Sequence, residues 1–202
     1  MMSKTVLLLI CAVLLCSACN TAPPPSGNLK DSLPPDPAAL KMIENALGME
    51  LPAGIRSLGM KETEFEELSS GTIYHCVSDL SYHDCHTYLL IETAGTQEEK
   101  IIAGIVYRIT LKKNHEIITD TIVSWFEELS EFYGKPDTYE GMQTDRINPQ
   151  NAEQFAKEAL SPGNSQSQLY DEWLEEGLRI AVQVMKVDDQ IFIQTIISKR
   201  NP

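Results

Sequence analysis

The residues of this chain with the most chemical potential lie between positions 75 and 86. This stretch contains three histidines, two cysteines and two aspartates: His75, Cys76, Asp79, His83, Asp84, Cys85 and His86. Thiolate and imidazole groups both suit Zn(II) and copper, so the stretch could bind a metal ion. Two cysteines in an oxidising compartment also commonly form a disulfide. Repeated Cys-x2-Cys spacing, the strong signature of a zinc site, is absent from the sequence.

A β-hairpin through this stretch predicts how the two cysteines are placed. If residues 72–78 and 83–92 pair around a turn at 79–82, Cys76 lies opposite Cys85. A disulfide between them would close a loop of about ten residues and stabilise the fold by ~2.5–3 kcal/mol in the chain-entropy model. We therefore expect a Cys76–Cys85 disulfide.

The same register leaves two forms of metal site open as alternatives. It places His75 opposite His86 on the other face of the sheet, with Asp84 as a diagonal neighbour of His75. Reduced cysteines could bind Zn(II) or copper together with His75, His83 and His86. With the disulfide intact, His75, His86 and Asp84 could instead hold a metal on the opposite face. We expect no cofactor and keep a Zn or Cu site as the alternative.

The chain is strongly acidic, with 29 Asp and Glu against 16 Lys and Arg and a formal net charge of −13. A nucleic-acid partner is not expected, because phosphate binding requires clustered basic residues. The densest acidic patch consists of Asp171, Glu172, Glu175 and Glu176. It could bind a basic protein partner, as an inhibitor or immunity protein would against a basic active site.

Motifs of common enzyme classes are missing from the sequence. There is no Gly-x-Ser-x-Gly nucleophile elbow and no Gly-Lys-Ser/Thr phosphate loop. Acidic residues at 62–67 and 127–131 have the spacing of solvated helix faces rather than of paired catalytic carboxylates. We therefore expect a protein that is not an enzyme.

The elements that must position these residues form one α+β domain over residues 38–202. Hydrophobic periodicity and capping residues predict helices at 37–47, 61–69, 116–133 and 149–160. Strands are predicted at 72–78, 83–92, 101–111, 169–174, 178–187 and 190–199, with a turn at Asp188-Asp189. We expect the helices to pack on one face of antiparallel sheet, possibly as two α-α-β-β-β halves at 38–112 and 113–202.

The N-terminus has the organisation of a targeting segment. One lysine lies within residues 1–4, residues 6–15 are apolar and uncharged, and Leu-Cys-Ser-Ala-Cys follows at 15–19. This resembles the lipobox of bacterial lipoproteins, in which the cysteine, here Cys19, is acylated and becomes the mature N-terminus. Cys16 stands where leucine is usual in that motif.

The resemblance implies a signal peptide at 1–18 and a lipid anchor at Cys19. It also implies a cell-envelope location, with the outer membrane favoured by Asn20 if the source is Gram-negative. Residues 19–37 contain six of the eleven prolines and predict an extended tether. About 18 such residues at ~3.1 Å each could hold the domain up to ~55 Å from the lipid surface.

The predicted element order is similar to that of small α-α-β envelope modules, such as outer-membrane assembly lipoproteins and secreted β-lactamase-inhibitor proteins. That similarity implies a binding or scaffolding domain whose exposed sheet face meets a protein partner. Our leading hypothesis is a non-enzymatic envelope lipoprotein that binds another envelope component. A metal-binding lipoprotein and an acidic inhibitor or immunity protein are the alternatives.

Overall fold

The structure, a computed structural model, describes residues 37–77, 80–82, 85–96, 98–137, 144–162 and 167–200. The predicted signal peptide, Cys19, almost all of the tether, Asp79, His83 and Asp84 lie outside these residues. The helices are α1 (Pro37–Ala46), α2 (Leu51–Ser57), α3 (His115–Tyr133) and α4 (Pro149–Leu160), with one 3-10 turn at Glu62–Glu64. The strands are β1 (Phe65–Glu67), β2 (Ile73–Cys76), β3 (Leu80–Tyr82), β4 (Cys85–Gly95), β5 (Lys100–Leu111), β6 (Gln168–Glu175), β7 (Leu178–Val187) and β8 (Gln190–Lys199).

These strands form one antiparallel sheet with the order β1-β2-β4-β5-β8-β7-β6. The short strand β3 pairs with β4 farther along the same edge that β2 occupies. The predicted α+β class is therefore confirmed. Pairing between β5 and β8, from Gly104↔Ser198 to Leu111↔Ile191, joins the N-terminal and C-terminal strands into a single continuous sheet.

All four helices contribute to a core on one face of this sheet, as the sequence predicts. Alternate residues along each strand point to opposite faces, so one set of strand residues meets the helices. The largest fully buried side chains in this core include Trp125 and Trp173. The indole nitrogen of Trp125 donates to the Thr195 hydroxyl at 2.8 Å, which fastens α3 to β8.

The two long C-terminal helices begin and end where their capping residues predict. The side chain of Asn114 accepts a hydrogen bond from the Ile117 amide at 3.1 Å, and that of Asn148 accepts one from Asn151 at 2.9 Å. These bonds satisfy amide groups that have no partner inside the helix. Gly134, with φ of 77°, ends α3 in a conformation that L side chains rarely adopt.

The predicted second helix is wrong in position. Residues 61–69 contain the 3-10 turn and β1, because Phe65 pairs with Cys76 at the edge of the sheet. The helix lies earlier, at Leu51–Ser57, where Pro52 occupies its first turn. Short apolar spacing around Phe65 fits either a helix or an edge strand, and the pairing with β2 decides for the strand.

Candidate functional site

The hairpin predicted around the two cysteines is not formed. In the register of β2 with β4, His75 lies opposite Leu90, so the next step places Cys76 beside Leu89. Cys85 lies four residues farther along β4, a distance of ~13 Å at the usual rise of a strand. A disulfide requires Cα atoms within about 7 Å of each other. The prediction of a Cys76–Cys85 disulfide is therefore wrong. In the structure, both residues are buried cysteines that are not joined to each other.

The reason for this error is the additional strand β3. Tyr82 pairs with Cys85, so the chain reverses between these two residues rather than at 79–82. Strand β2 pairs farther along the same edge of β4, with Ile73 opposite Glu92 and His75 opposite Leu90. A reversal three residues later in the chain changes every cross-strand neighbour that the sequence predicted.

The same register separates the two described histidines of the predicted metal site. His75 is level with Leu90, whereas His86 pairs with Ser81 and Thr110. His75 and His86 are therefore not opposite each other, and His83 and Asp84 lie outside the described residues. Within the described ranges, no three His, Cys, Asp or Glu side chains are grouped closely enough to hold a metal ion.

The predicted acidic surface is also wrong for two of its four residues. Asp171 and Glu172 are only 3% and 2% exposed, whereas Glu175 and Glu176 are exposed. Asp171 accepts hydrogen bonds from Arg146 Nε at 2.7 Å and from the Ile147 amide at 2.8 Å. Burial raises the pKa of Asp171, while the Ile147 amide and Arg146 act in the opposite direction.

Glu172 has an equivalent structural role on the other side of β6. Its carboxylate accepts a hydrogen bond from the Tyr170 hydroxyl at 2.8 Å and one from Arg179 Nε at 3.0 Å. Arg179 also donates to the Tyr170 hydroxyl at 2.9 Å. A buried carboxylate with such partners stabilises its own fold and is not available to a second protein.

The sheet face opposite the described helices is here called the outer face. Its centre is an apolar row, one residue from each of four neighbouring strands, and all four are buried: Leu90, Val106, Ile196 and Ala181. Around the row lie aromatic residues, of which Tyr88 is 39% exposed while Tyr170 and Phe192 are buried. The ring centroid of Tyr88 is 5.3 Å from that of His75.

Polar side chains on the outer face are held in place by specific contacts. The Arg108 guanidinium lies 4.5 Å from the centre of the Phe192 ring and donates a hydrogen bond to Gln194 Oε1 at 2.9 Å. Burial lowers the pKa of His75; Glu66 opposes this effect and Arg108 adds to it. His75 is therefore a neutral aromatic side chain at pH 7. Aromatic residues such as tyrosine, together with arginine, are enriched at the centres of protein interfaces.

Both edges of the sheet are protected against the addition of another strand. At the β6 edge, the Asp137 amide donates to the Glu172 carbonyl, and the Tyr170 amide donates to the Asp145 carbonyl. At the other edge, β1 has only three residues and two of them are glutamates. Short, charged or covered edges discourage strand pairing between chains.

One carboxylate on the outer face differs from Asp171 and Glu172. Glu92 lies on β4, level with Ile73 on β2 and Gly104 on β5, and it is half-buried. Burial raises the pKa of Glu92, and no other group in the described part of the chain acts on it. No hydrogen bond or ion pair to its carboxylate occurs among these residues. The sequence did not identify this residue, although a lone acid within an apolar strand was its signal.

A cleft of about 370 Å³ lies at the other end of the fold, between the end of α4 and the β7–β8 turn. Its two lysines are engaged by neighbours of the same chain. Lys113 pairs with Asp189, and Lys186 Nζ donates to the Ala159 carbonyl at 2.8 Å. The first pair joins the segment between β5 and α3 to the β7–β8 turn, and the second joins β7 to α4, so both lysines stabilise the fold around the cleft.

No protein-family model, curated protein or solved structure matches this chain. None of the helices in the described ranges is both long and apolar enough to cross a membrane. The functional interpretation therefore depends on the side chains of this chain and not on a similarity to another protein.

Glu172→Ala should destabilise the fold by about 3 kcal/mol, because it removes two buried hydrogen bonds and leaves Arg179 without its carboxylate. Glu176→Ala, at an exposed position of the same predicted patch, should change stability by less than about 0.5 kcal/mol. Urea unfolding of the two variants checks this. Equal losses would mean that the buried ion pair does not stabilise β6.

Glu92→Gln should stabilise the fold, unlike Glu172→Ala. Its melting temperature at pH 7 should be roughly 1–3 °C higher than that of wild type. The folded-state pKa of Glu92 lies above its unfolded value, so the ionised carboxylate disfavours the folded state. This penalty disappears as the pH falls and Glu92 becomes protonated, so the difference from wild type should shrink below about pH 4. Thermal melts of wild type, Glu92→Gln and the exposed control Glu176→Gln test the sign. A lower melting temperature for Glu92→Gln would contradict it.

Proposed function

We propose that this chain is a lipid-anchored lipoprotein of the cell envelope that binds another envelope protein and catalyses no reaction. The observation that supports this most is the distribution of the described helices, which pack on one face of the sheet while none of them packs on the outer face. That face presents Tyr88 beside an apolar row, and its polar groups are already fixed by contacts such as the one between Arg108 and Gln194. Side chains that are ordered before binding lose little entropy on association.

The anchor is proposed from the sequence at 1–19. Two or three acyl chains on Cys19 would make membrane attachment stable, because one chain alone binds only marginally. The first described helix begins at Pro37, so the proline-rich residues between Cys19 and this helix would separate the domain from the lipid. Such a tether allows the outer face to reach a partner in the same membrane or beside it.

Binding, rather than catalysis, is the role that the polar side chains favour. Asp171 and Glu172 are committed to ion pairs with arginines, and both described cysteines are buried in the core. A general acid or base needs access to substrate, and these groups lack it. The exposed aromatic residue of the outer face, Tyr88, is of a type that is enriched in interfaces between proteins.

The anchor can be tested by substituting the two neighbouring cysteines separately. Cys19→Ser should move the protein from the membrane fraction to the soluble fraction, since no acyl chain could then be attached. Cys16→Ser is the matched control and should leave the protein in the membrane fraction. Fractionation of cells that produce each full-length variant measures this. Continued membrane association of Cys19→Ser would mean that the lipobox interpretation is wrong.

The binding face can be tested with a photo-crosslinking amino acid in the full chain. Placed at Tyr88 on the outer face, it should give a discrete adduct of one size in intact cells. Placed at Glu127, an exposed position on the helical side, it should give no such adduct. The adduct from position 88 should be lost when Val106 of the apolar row is replaced by arginine. Equal adducts from both positions would contradict the assignment of the outer face.

A further inference from the structure

Glu92 is a carboxylate that the fold itself does not use. Buried polar groups in proteins are nearly always hydrogen-bonded, and buried charges are paired. Asp171 and Glu172 follow this rule, because each has an arginine within 3.0 Å. Glu92 lies half-buried in the same sheet, and its carboxylate has no equivalent partner among the described residues. A carboxylate that is not paired within the described fold is available to a group of a binding partner.

The surroundings of Glu92 leave room for another group beside its carboxylate. Gly104 lies directly opposite on β5 and has no side chain. A Cβ atom built at Gly104 would be 3.6 Å from Glu92 Oε2 and 3.8 Å from Ser198 Cβ, which are ordinary contact distances. A group placed over Gly104 would therefore be in van der Waals contact with the Glu92 carboxylate and with the Ile197 carbonyl oxygen, 3.7 Å away. Val106, the next outer-face residue on β5, belongs to the apolar row.

The chemistry of this position is specific. An ionised carboxylate in partly apolar surroundings is stabilised most by a positively charged N–H donor, and such charge-assisted bonds are stronger than neutral ones. The chain as a whole has a net charge of −13, so its field attracts basic groups and repels acidic ones. Neighbouring apolar side chains would contact the methylene stem of a long basic residue.

We infer that the partner of the outer face is a protein that inserts a lysine or arginine side chain over Gly104 to pair with Glu92. This inference rests on the proposed binding function and adds the chemistry of the partner. The basic residue would be flanked by apolar residues of the partner, which meet the exposed ring of Tyr88. Binding would then supply the partner that the isolated fold does not give to Glu92.

The experiment uses the chain from residue 19 onward with Cys19→Ser, which retains every residue that the structure describes. Two probes are titrated into the labelled protein and followed by amide chemical shifts: acetyl-Leu-Arg-Leu-amide and its neutral counterpart, acetyl-Leu-Gln-Leu-amide. The arginine peptide should shift the amides of Gly104 and Ser198, and the glutamine peptide should shift them at least fivefold less. In Glu92→Gln, the response to the arginine peptide should fall at least fivefold, whereas the control Glu176→Gln should respond as wild type does.

A second variant tests the space over Gly104 while the carboxylate remains. Gly104→Ala fits the fold without close contacts, and its methyl group should reduce the response to the arginine peptide. The inference is overturned if wild type shows no shift at Gly104, if both peptides act equally, or if Glu92→Gln binds as well as wild type. Crosslinking from position 88 distinguishes a failure of the inference about Glu92 from a failure of the proposed binding function. An adduct that persists in Glu92→Gln would keep the outer face as the binding surface and remove Glu92 from it.

Discussion

The pairing of β5 with β8 is the constraint on which the rest of this structure depends. These strands are far apart in the chain, yet their eight paired positions join the N-terminal and C-terminal strands into one sheet. One set of alternating residues, such as Ile109 and Ile193, then meets the helices. The other set, which includes Val106 and Ile196, forms the outer face. The pairing of β5 with β8 therefore determines both the core and the candidate binding surface. A shift of this register by one residue would move the core side chains to the outer face.

The carboxylates in this sheet differ in whether the fold pairs them with a positive charge. Asp171 and Glu172 are buried but paired with Arg146 and Arg179, and they hold β6 and the chain segment beside it. Glu92 is half-buried and lacks such a pair in the described structure. The cost of burying a charge is offset within the fold in the first two cases. In the third case, the partner that we propose would supply the positive charge that the described fold does not place beside the carboxylate.

Much of the secondary structure could be predicted because it depends on neighbours in sequence. The apolar spacing around Trp125 and the capping residue Asn114 define α3, and the alternation along β5 defines that strand. The two-residue turn at Asp188-Asp189 sets the β7–β8 hairpin, with Val187 opposite Gln190. Each of these features depends on residues close together in sequence, for which propensity and hydrophobic periodicity are informative.

The candidate site could not be predicted in the same way, because its contacts join residues distant in sequence. The sequence by itself determined an acidic α+β chain with helices on one side of a sheet and a lipobox-like N-terminus. Only the tertiary structure decided that Cys76 and Cys85 lie too far apart for a disulfide, since strand β3 changes the register. It also decided that Asp171 and Glu172 are internal and that Glu92 lies on the open face. Burial and ion pairing depend on which strands and loops meet, and cross-strand neighbours are fixed only when the whole sheet is assembled.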